Sequence, residues 1–281
     1  DFGVDETAFQ TQLGLHVHHL SMQQIAKLAK DAPEGEIHVQ MAADKEAFQV
    51  LPMVTESQHE IAARLEWALR ITMQTKKLLG FASHFFSVGE EGWLDSLPFL
   101  AASKLLGEGY SFGGEGDVTS VAAVTVLQLL VGQANFTEIF TIDFGGGTVL
   151  MSHMGEGNWK MAREDYPVFM RSDPFDMVPL RVNPVSLTFT LRPGPVTLLN
   201  ITTGPGGKLN WIVAQGNIPD EPPLPNVVQV HNKFNPMLPV EEFLTRYGME
   251  GGSHHQGLAY GSHIENIKKL AAMMNIPLIV I

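Results

Sequence analysis

The chain has 281 residues, with 30 acids against 18 bases and a formal charge of −12, which argues against a nucleic-acid partner, since phosphate binding needs a basic patch and none is visible. It has no cysteine, which excludes disulfides, thiolate metal sites and thiol nucleophiles. Any bound metal must therefore be held by histidine nitrogen and carboxylate oxygen, and 11 histidines supply the first.

The length suits one large domain or two modest ones. No apolar run reaches the ~18 residues of a membrane helix, and the longest candidate, 118–131, is interrupted by Thr119, Ser120, Thr125 and Gln128. The chain opens on Asp1 with no basic, cleavable leader and stops inside an apolar stretch, 276–281, that reads as a buried strand. Both ends are expected to be cuts in a longer chain.

In chain order, Ser21-Met22-Gln23-Gln24 resembles a capping box opening a helix to about Lys30. Residues 36–41 alternate as a short strand would. Thr55-Glu56-Ser57-Gln58 is a second capping box. Beyond it Ile61, Leu65, Leu69 and Met73 recur every four residues, with Gly80 past the end, which predicts an amphipathic helix. A further helix is expected over 97–106, with Pro98 in its first turn and Gly107 as its stop. The helix after Asp117 is apolar nearly all round, so it should be buried between layers or subunits.

From Asn135 the texture changes to strands, at 136–144, 148–154, 185–191, 196–203 and 209–215, with glycine and proline turns between them. Close spacing predicts an antiparallel meander. Helices follow near 240–247 and 264–274. The expected architecture is an α/β domain over 1–134 and a β-rich α+β domain over 135–281.

Four places could carry chemistry. Glu115 lies in Gly113-Gly114-Glu115-Gly116-Asp117, where three glycines let the backbone approach a ligand and Asp117 can cap the next helix. A capped turn with an incidental acid is the plainer alternative. Glu138 alternates with Phe136, Phe140, Ile142 and Phe144, on the more apolar face of its strand. A buried carboxylate there needs a partner or a metal; a strand-end acid reaching solvent is the alternative. His153 shares a face with Val149 and Met151, where a lone histidine is often only a satisfied core residue. If the turn spans 144–147, residues 138 and 153 pair on one face; a three-residue turn puts them on opposite faces. His254 and His255 follow Gly251-Gly252-Ser253, and on an extended backbone only one of them would face a given site. For His16-Val17-His18-His19 a surface role is the favoured reading, with metal binding open.

Gly109-Tyr110-Ser111-Phe112-Gly113-Gly114-Glu115-Gly116-Asp117 resembles the glycine-rich segment of L-arabinose isomerases that carries their first metal-binding glutamate. Thr137-Glu138-Ile139-Phe140 falls where that family has its second. Met151-Ser152-His153-Met154 and Gly251-Gly252-Ser253-His254-His255 resemble the segments bearing its two ligand histidines. Order and approximate spacing agree across all four.

The resemblance implies a metal-dependent aldose–ketose isomerase binding a small sugar, with Glu115, Glu138, His153 and His255 around one divalent ion, Mn²⁺ favoured. Glu115 and Glu138 would move a proton between C1 and C2 through an ene-diol, and His254 would touch substrate. It also implies a cytoplasmic homo-oligomer with active sites between subunits, and a further domain before Asp1. Residues 81–91 depart from the family pattern where substrate contacts are expected. The alternatives are a non-catalytic sugar-binding or regulatory relative and a metal-assisted hydrolase; no helix-borne His-Glu-x-x-His supports the latter.

Overall fold

Side-chain caps set four of the α-helix starts among the described residues. The structure, a computed structural model, describes residues 3–281, with the backbone alone at 89–91. Asp1 and Phe2, where the expected first domain begins, lie outside the described residues. Asp5 caps α1 (Glu6–Leu13) and Ser21 caps α2 (Met22–Lys30) through the Ala8 and Gln24 amides. Thr55 and Gln58 form the full reciprocal box at the start of α4 (Glu56–Lys76). That helix ends on Lys77 in the left-handed region, before Gly80 is reached.

Residues 36–41 are not a strand. They lie in α3 (Glu34–Ala47), which leads into β1 (Gln49–Val50). Pro33 opens α3, and Glu34 and Glu36 sit in its first turn, where the helix dipole favours acids. Ile37, Met41 and Asp44 face inward at helical spacing, while Val39, the middle of the apparent alternation, is exposed. Apolar alternation over six residues could not separate the two periods.

The glycine-rich turn is built next to a parallel pair of short strands, β2 (Gly80–Ala82) and β3 (Ser111–Gly113). Between them run α5 (Phe85–Glu91) and α6 (Phe99–Gly107), and Pro98 stands just outside α6 rather than in its first turn. Gly80 admits β3: a Cβ there would stand 2.5 Å from the Ser111 carbonyl oxygen. After the turn comes α7 (Val118–Val131).

The second half holds β4 (Asn135–Asp143), β5 (Thr148–Ser152), β6 (Phe169–Ser172), β7 (Val185–Thr188), β8 (Gly194–Thr203), β9 (Leu209–Ile218) and β10 (His231–Pro236). Then come α8 (Val240–Met249), β11 (His255–Tyr260), α9 (Ile264–Met274) and β12 (Leu278–Val280). The large sheet is mixed, in the order β10-β5-β4-β11-β8-β9-β12. Hairpins β4–β5 and β8–β9 are sequential neighbours, but the late strand β11 lies between them. β10 also pairs with β9, which closes six antiparallel strands on one another, and β12 joins β9 in parallel. In a separate small sheet β1 pairs with β6 and β6 with β7, so strands from both sides of residue 134 meet there.

The strands bury side chains on both faces. One core holds Met151, Leu198, Ile212, Phe234 and Leu258; the other holds Phe136, Leu199, Trp211 and Ala259 against α7 and α9. Helix α7 is buried between layers of this one chain, β2 and β3 on one side and β4, β8 and β11 on the other. Gly257 permits that approach: a Cβ on it would stand 3.0 Å from Leu127 and 3.2 Å from the α7 backbone. The packing sets the N-terminus of α7, and with it Glu115 and Asp117, against the start of β11.

Candidate metal centre

Glu115 occupies a turn that ordinary sequence would not adopt. It has φ 55° and ψ 22°, left-handed values that are uncommon for a residue with a side chain. Gly114 lies against the His153 ring, where a Cβ would come within 2.5 Å of Cε1. The Gly116 amide donates to the Ser83 carbonyl at 3.1 Å, tying the turn to the end of β2. The result is a carboxylate held at a helix N-terminus, partly open to solvent.

Two histidines face it. His153 follows β5 and His255 opens β11; both rings are buried, their centroids are 5.4 Å apart, and each meets the Phe136 ring edge-on. Glu115, His153 and His255 each offer one donor atom, and those atoms lie within 4.8 Å of one another. Ligand bonds of roughly 2.0–2.3 Å would put donors on opposite sides of an ion roughly 4–4.6 Å apart. At most one pair of the three can be opposite, and adjacent donors of one ion stand roughly 3 Å apart, so the three would draw inward by about 1 Å or more to share an ion.

The far nitrogen of each ring is engaged by a carboxylate. His153 Nδ1 lies 2.7 Å from Glu156 Oε2, and His255 Nδ1 lies 3.0 Å from Asp117 Oδ2. A carboxylate at Nδ1 accepts its proton and leaves Nε2 with a lone pair, the arrangement found around metal-bound histidines. His153 Nε2 is buried with no hydrogen-bond partner among the described residues, and His255 Nε2 is 3.9 Å from Glu115 Oε2. An inward-facing imidazole nitrogen without a donor is costly unless a cation meets it. The donor set therefore fits a divalent ion held by nitrogen and oxygen.

Asp117 has two tasks. It caps α7 through the Thr119 and Ser120 amides, at 2.9 and 3.0 Å, and it holds His255. Burial acts to raise its carboxyl, but hydrogen bonds from His255, Ser120 and Thr119 hold it below its ordinary 3.8. At His153 burial opposes the charged ring, yet Glu156 and then Glu138 raise it above the usual 6.5. Sequence reading saw Asp117 only as a cap and missed Glu156. The latter's signal was its place three residues after a candidate ligand, between two glycines.

Glu138 arrives by a different register from either expected one. Asp143 does pair with Thr148 across the 144–147 turn, but a bulge at Phe140 shifts the ladder, and Glu138 faces Ser152. The bulge puts Ile139 and Ile142 on one core face and leaves Phe140 and Phe144 exposed. The expected apolar set along this strand is therefore broken after Glu138. On its other edge Glu138 pairs directly with His255, which brings their Cβ atoms to about 5 Å. Burial raises its carboxyl above the ordinary 4.5, opposed by the nearby His153 and His255. Glu138 is not one of the three convergent donors; it borders them.

His254 and His255 both reach the site, contrary to the alternation argument. His254 lies in a bend before β11, where strand alternation does not apply. Its Nε2 is 3.8 Å from Glu115 and 4.0 Å from Glu138, and its side chain is 44% exposed, at the mouth. His16, His18 and His19 are exposed, with His19 against Glu6 at 2.6 Å. Together with His84 and Gly116 they line a cavity of about 550 Å³. No helix among the described residues is long and apolar enough to cross a membrane.

The fold and site define a mixed α/β protein with a histidine–carboxylate cluster suited to a divalent cation. The family model for the L-arabinose isomerase central domain matches residues 3–133, and that for the L-arabinose isomerase C-terminal domain matches 133–277. The chain belongs to the L-arabinose isomerase family. It is similar to the L-arabinose isomerases of Saccharophagus degradans, 26% identical over 289 positions, and Thermotoga neapolitana, 26% over 290, each covering 99% of this chain. That of Phocaeicola vulgatus is 26% identical over 299 positions, covering 98%. The chain spans 56% of the length of each of these relatives.

Proposed function

We propose that this chain carries the metal-binding part of an aldose–ketose isomerase acting on a sugar such as L-arabinose. The observation that carries the reading is the convergence of Glu115, His153 and His255, with both Nδ1 atoms held by carboxylates. Glu138 is proposed as the fourth ligand on its pairing with His255. Mn²⁺ is the favoured ion, because two carboxylates and two imidazoles with open positions suit an octahedral cation better than a closed zinc site. When bound, such an ion polarises the sugar's carbonyl and hydroxyl oxygens.

The chain's own residues handle the proton. One of Glu115 and Glu138 takes it from C2 of the open-chain aldose, and the other supports its return to C1 as the O2 proton passes to O1. Burial favours the protonated form of Glu138, which suits it to hold a proton. His254, at the mouth, is placed to meet the substrate's hydroxyl groups. The relatives' printed names, the order of the four motifs and the similarity over 99% of the chain support this reading over a hydrolase or a silent sugar-binding relative.

A division near residue 134 is proposed on the meeting of the two family models at 133. A cytoplasmic homo-oligomer with sites between subunits is proposed on family membership alone. Helix α7 is buried within this chain over 120–128 except at the half-buried Val121, and its last turn exposes Leu129.

The test is calorimetric titration with Mn²⁺, paired with an isomerase assay on L-arabinose. Glu138→Gln is nearly isosteric and should fold normally while turnover, in whatever assembly is active, falls by roughly 10²–10⁴. An unchanged rate would remove Glu138 from the mechanism. Failure of the 281-residue chain to bind Mn²⁺ more tightly than Glu115→Gln would overturn the metal reading.

A further inference from the structure

Glu156 does not converge on the ion site, yet its carboxylate is buried and takes the His153 Nδ1 proton at 2.7 Å. It sits in the turn Gly155-Glu156-Gly157. A wholly buried hydroxyl, Ser103 on α6, spans the two ends of that turn. Ser103 Oγ accepts from the Gly157 amide at 3.2 Å and donates to the Gly155 carbonyl at 3.4 Å.

The two glycines let the turn lie flush against its surroundings. A Cβ on Gly155 would stand 2.9 Å from the Phe99 ring, and one on Gly157 would stand 2.8 Å from Val230. The next residue is fixed as firmly: the Asn158 amide donates to Asn135 Oδ1 at 2.6 Å, and Asn158 Nδ2 donates to the Ala134 carbonyl at 2.8 Å. The backbone under Glu156 is thus clamped by α6 on one side and by the start of β4 on the other.

We infer that Glu156, clamped by Ser103, is the positioning residue for His153. It selects the tautomer whose Nε2 lone pair faces Glu115 and His255, and it holds the ring against Gly114 and Phe136. The inference rests on the metal-centre reading above. It adds that an α6 residue with no access to the ion controls the quality of one of its ligands. Carboxylates that orient ligand histidines typically change metal affinity 10–100-fold when removed.

The experiment titrates Mn²⁺ alone into the 281-residue chain and its variants by calorimetry. In parallel, long-range ¹⁵N–¹H spectra of the metal-free chains at alkaline pH report the His153 tautomer. Glu156→Ala should bind Mn²⁺ 10–100-fold more weakly, and His153 should leave the pure Nδ1–H form. Glu156→Gln keeps the volume and an acceptor oxygen, so it should fold as the parent does and fall between the two. Ser103→Ala should weaken binding less than Glu156→Ala and mix the tautomers in part. The inference is overturned if both Glu156 variants bind Mn²⁺ like the parent while His153→Ala has lost it. It is also overturned if His153 stays wholly Nδ1–H in Glu156→Ala. If the parent and Glu115→Gln bind equally weakly, the metal reading falls, and the tautomer spectrum by itself decides the role of Glu156.

Discussion

Two regions of this molecule bury clusters of charge, and they balance it differently. Between α3, α4 and α6, Asp44 and Glu66 are fully buried, but Lys104 bridges them, Arg70 joins Glu66 to Glu108, and His59 meets Asp44 at 3.0 Å. Fixed cations of the chain neutralise that cluster. Around the turn at Glu115 stand four carboxylates, those of Glu115, Asp117, Glu138 and Glu156. Among the described residues, their ion pairs are all with histidines. The first cluster is complete as a structural element, and the second has no lysine or arginine among its described ion pairs, which is why a cation from outside is proposed for it. The fold tolerates the second because its acids reach solvent at the mouth or sit on histidine and helix-terminus donors.

The sharpest way to break this contrast is to remove the internal cation. Lys104→Met should cost about 3 kcal/mol in urea unfolding, because it removes the cation that two buried carboxylates share and leaves Asp44 to His59 and Glu66 to Arg70, while the Mn²⁺ affinity of the folded fraction stays unchanged. A loss under ~1 kcal/mol would mean that the helix cluster is no more self-contained than the site.

Next in size is Gly114→Ala. The new Cβ would fall 2.5 Å from His153 Cε1 and 3.2 Å from Phe136 Cζ. The ring must move, at about 1–3 kcal/mol of stability, and Mn²⁺ affinity should fall with it. Unaltered affinity would show that the His153 position does not matter to the ion.

The smallest effect separates the regions by pH. The Glu138 carboxyl is raised above its ordinary 4.5 in the folded chain, so folding takes up a proton between the unfolded and folded values. Stability contributed by this group therefore falls as pH rises through that window. Asp117 has the opposite sign: its lowered carboxyl contributes stability above 3.8, lost as pH falls through the folded value. In metal-free chains, Glu138→Gln should flatten the loss above pH 4.5 and leave the acid side unchanged. Urea midpoints from pH 3 to 7 measure this, and an unchanged slope above pH 4.5 would show that Glu138 is not burdened by burial.

Much of the local structure was legible from residue chemistry. Thr55 with Gln58, Ser21 and Asp117 each announced a helix start through the acceptor they offer to free amides. The surrounding glycines at Glu115 announced a backbone that had to bend sharply and be approached closely. Residues 36–41 misled because their alternation was short, and the helix was decided by its packing face.

Of the four candidate ligands, Glu115, His153 and His255 converge and Glu138 borders them, and no part of that geometry was legible in the sequence. The order of four motifs resembling those of L-arabinose isomerases pointed to Glu115, Glu138, His153 and His255, while the absence of cysteine limited the donors only to nitrogen and oxygen. The bulge at Phe140, the insertion of β11 beside β4, the bend that turns His254 toward the mouth and the carboxylates behind His153 and His255 were decided only in three dimensions. Strand register and the pairing of segments more than a hundred residues apart depend on which side chains fill a shared core. One residue of slip sends every side chain to the other face, and no local pattern in a single segment encodes that choice.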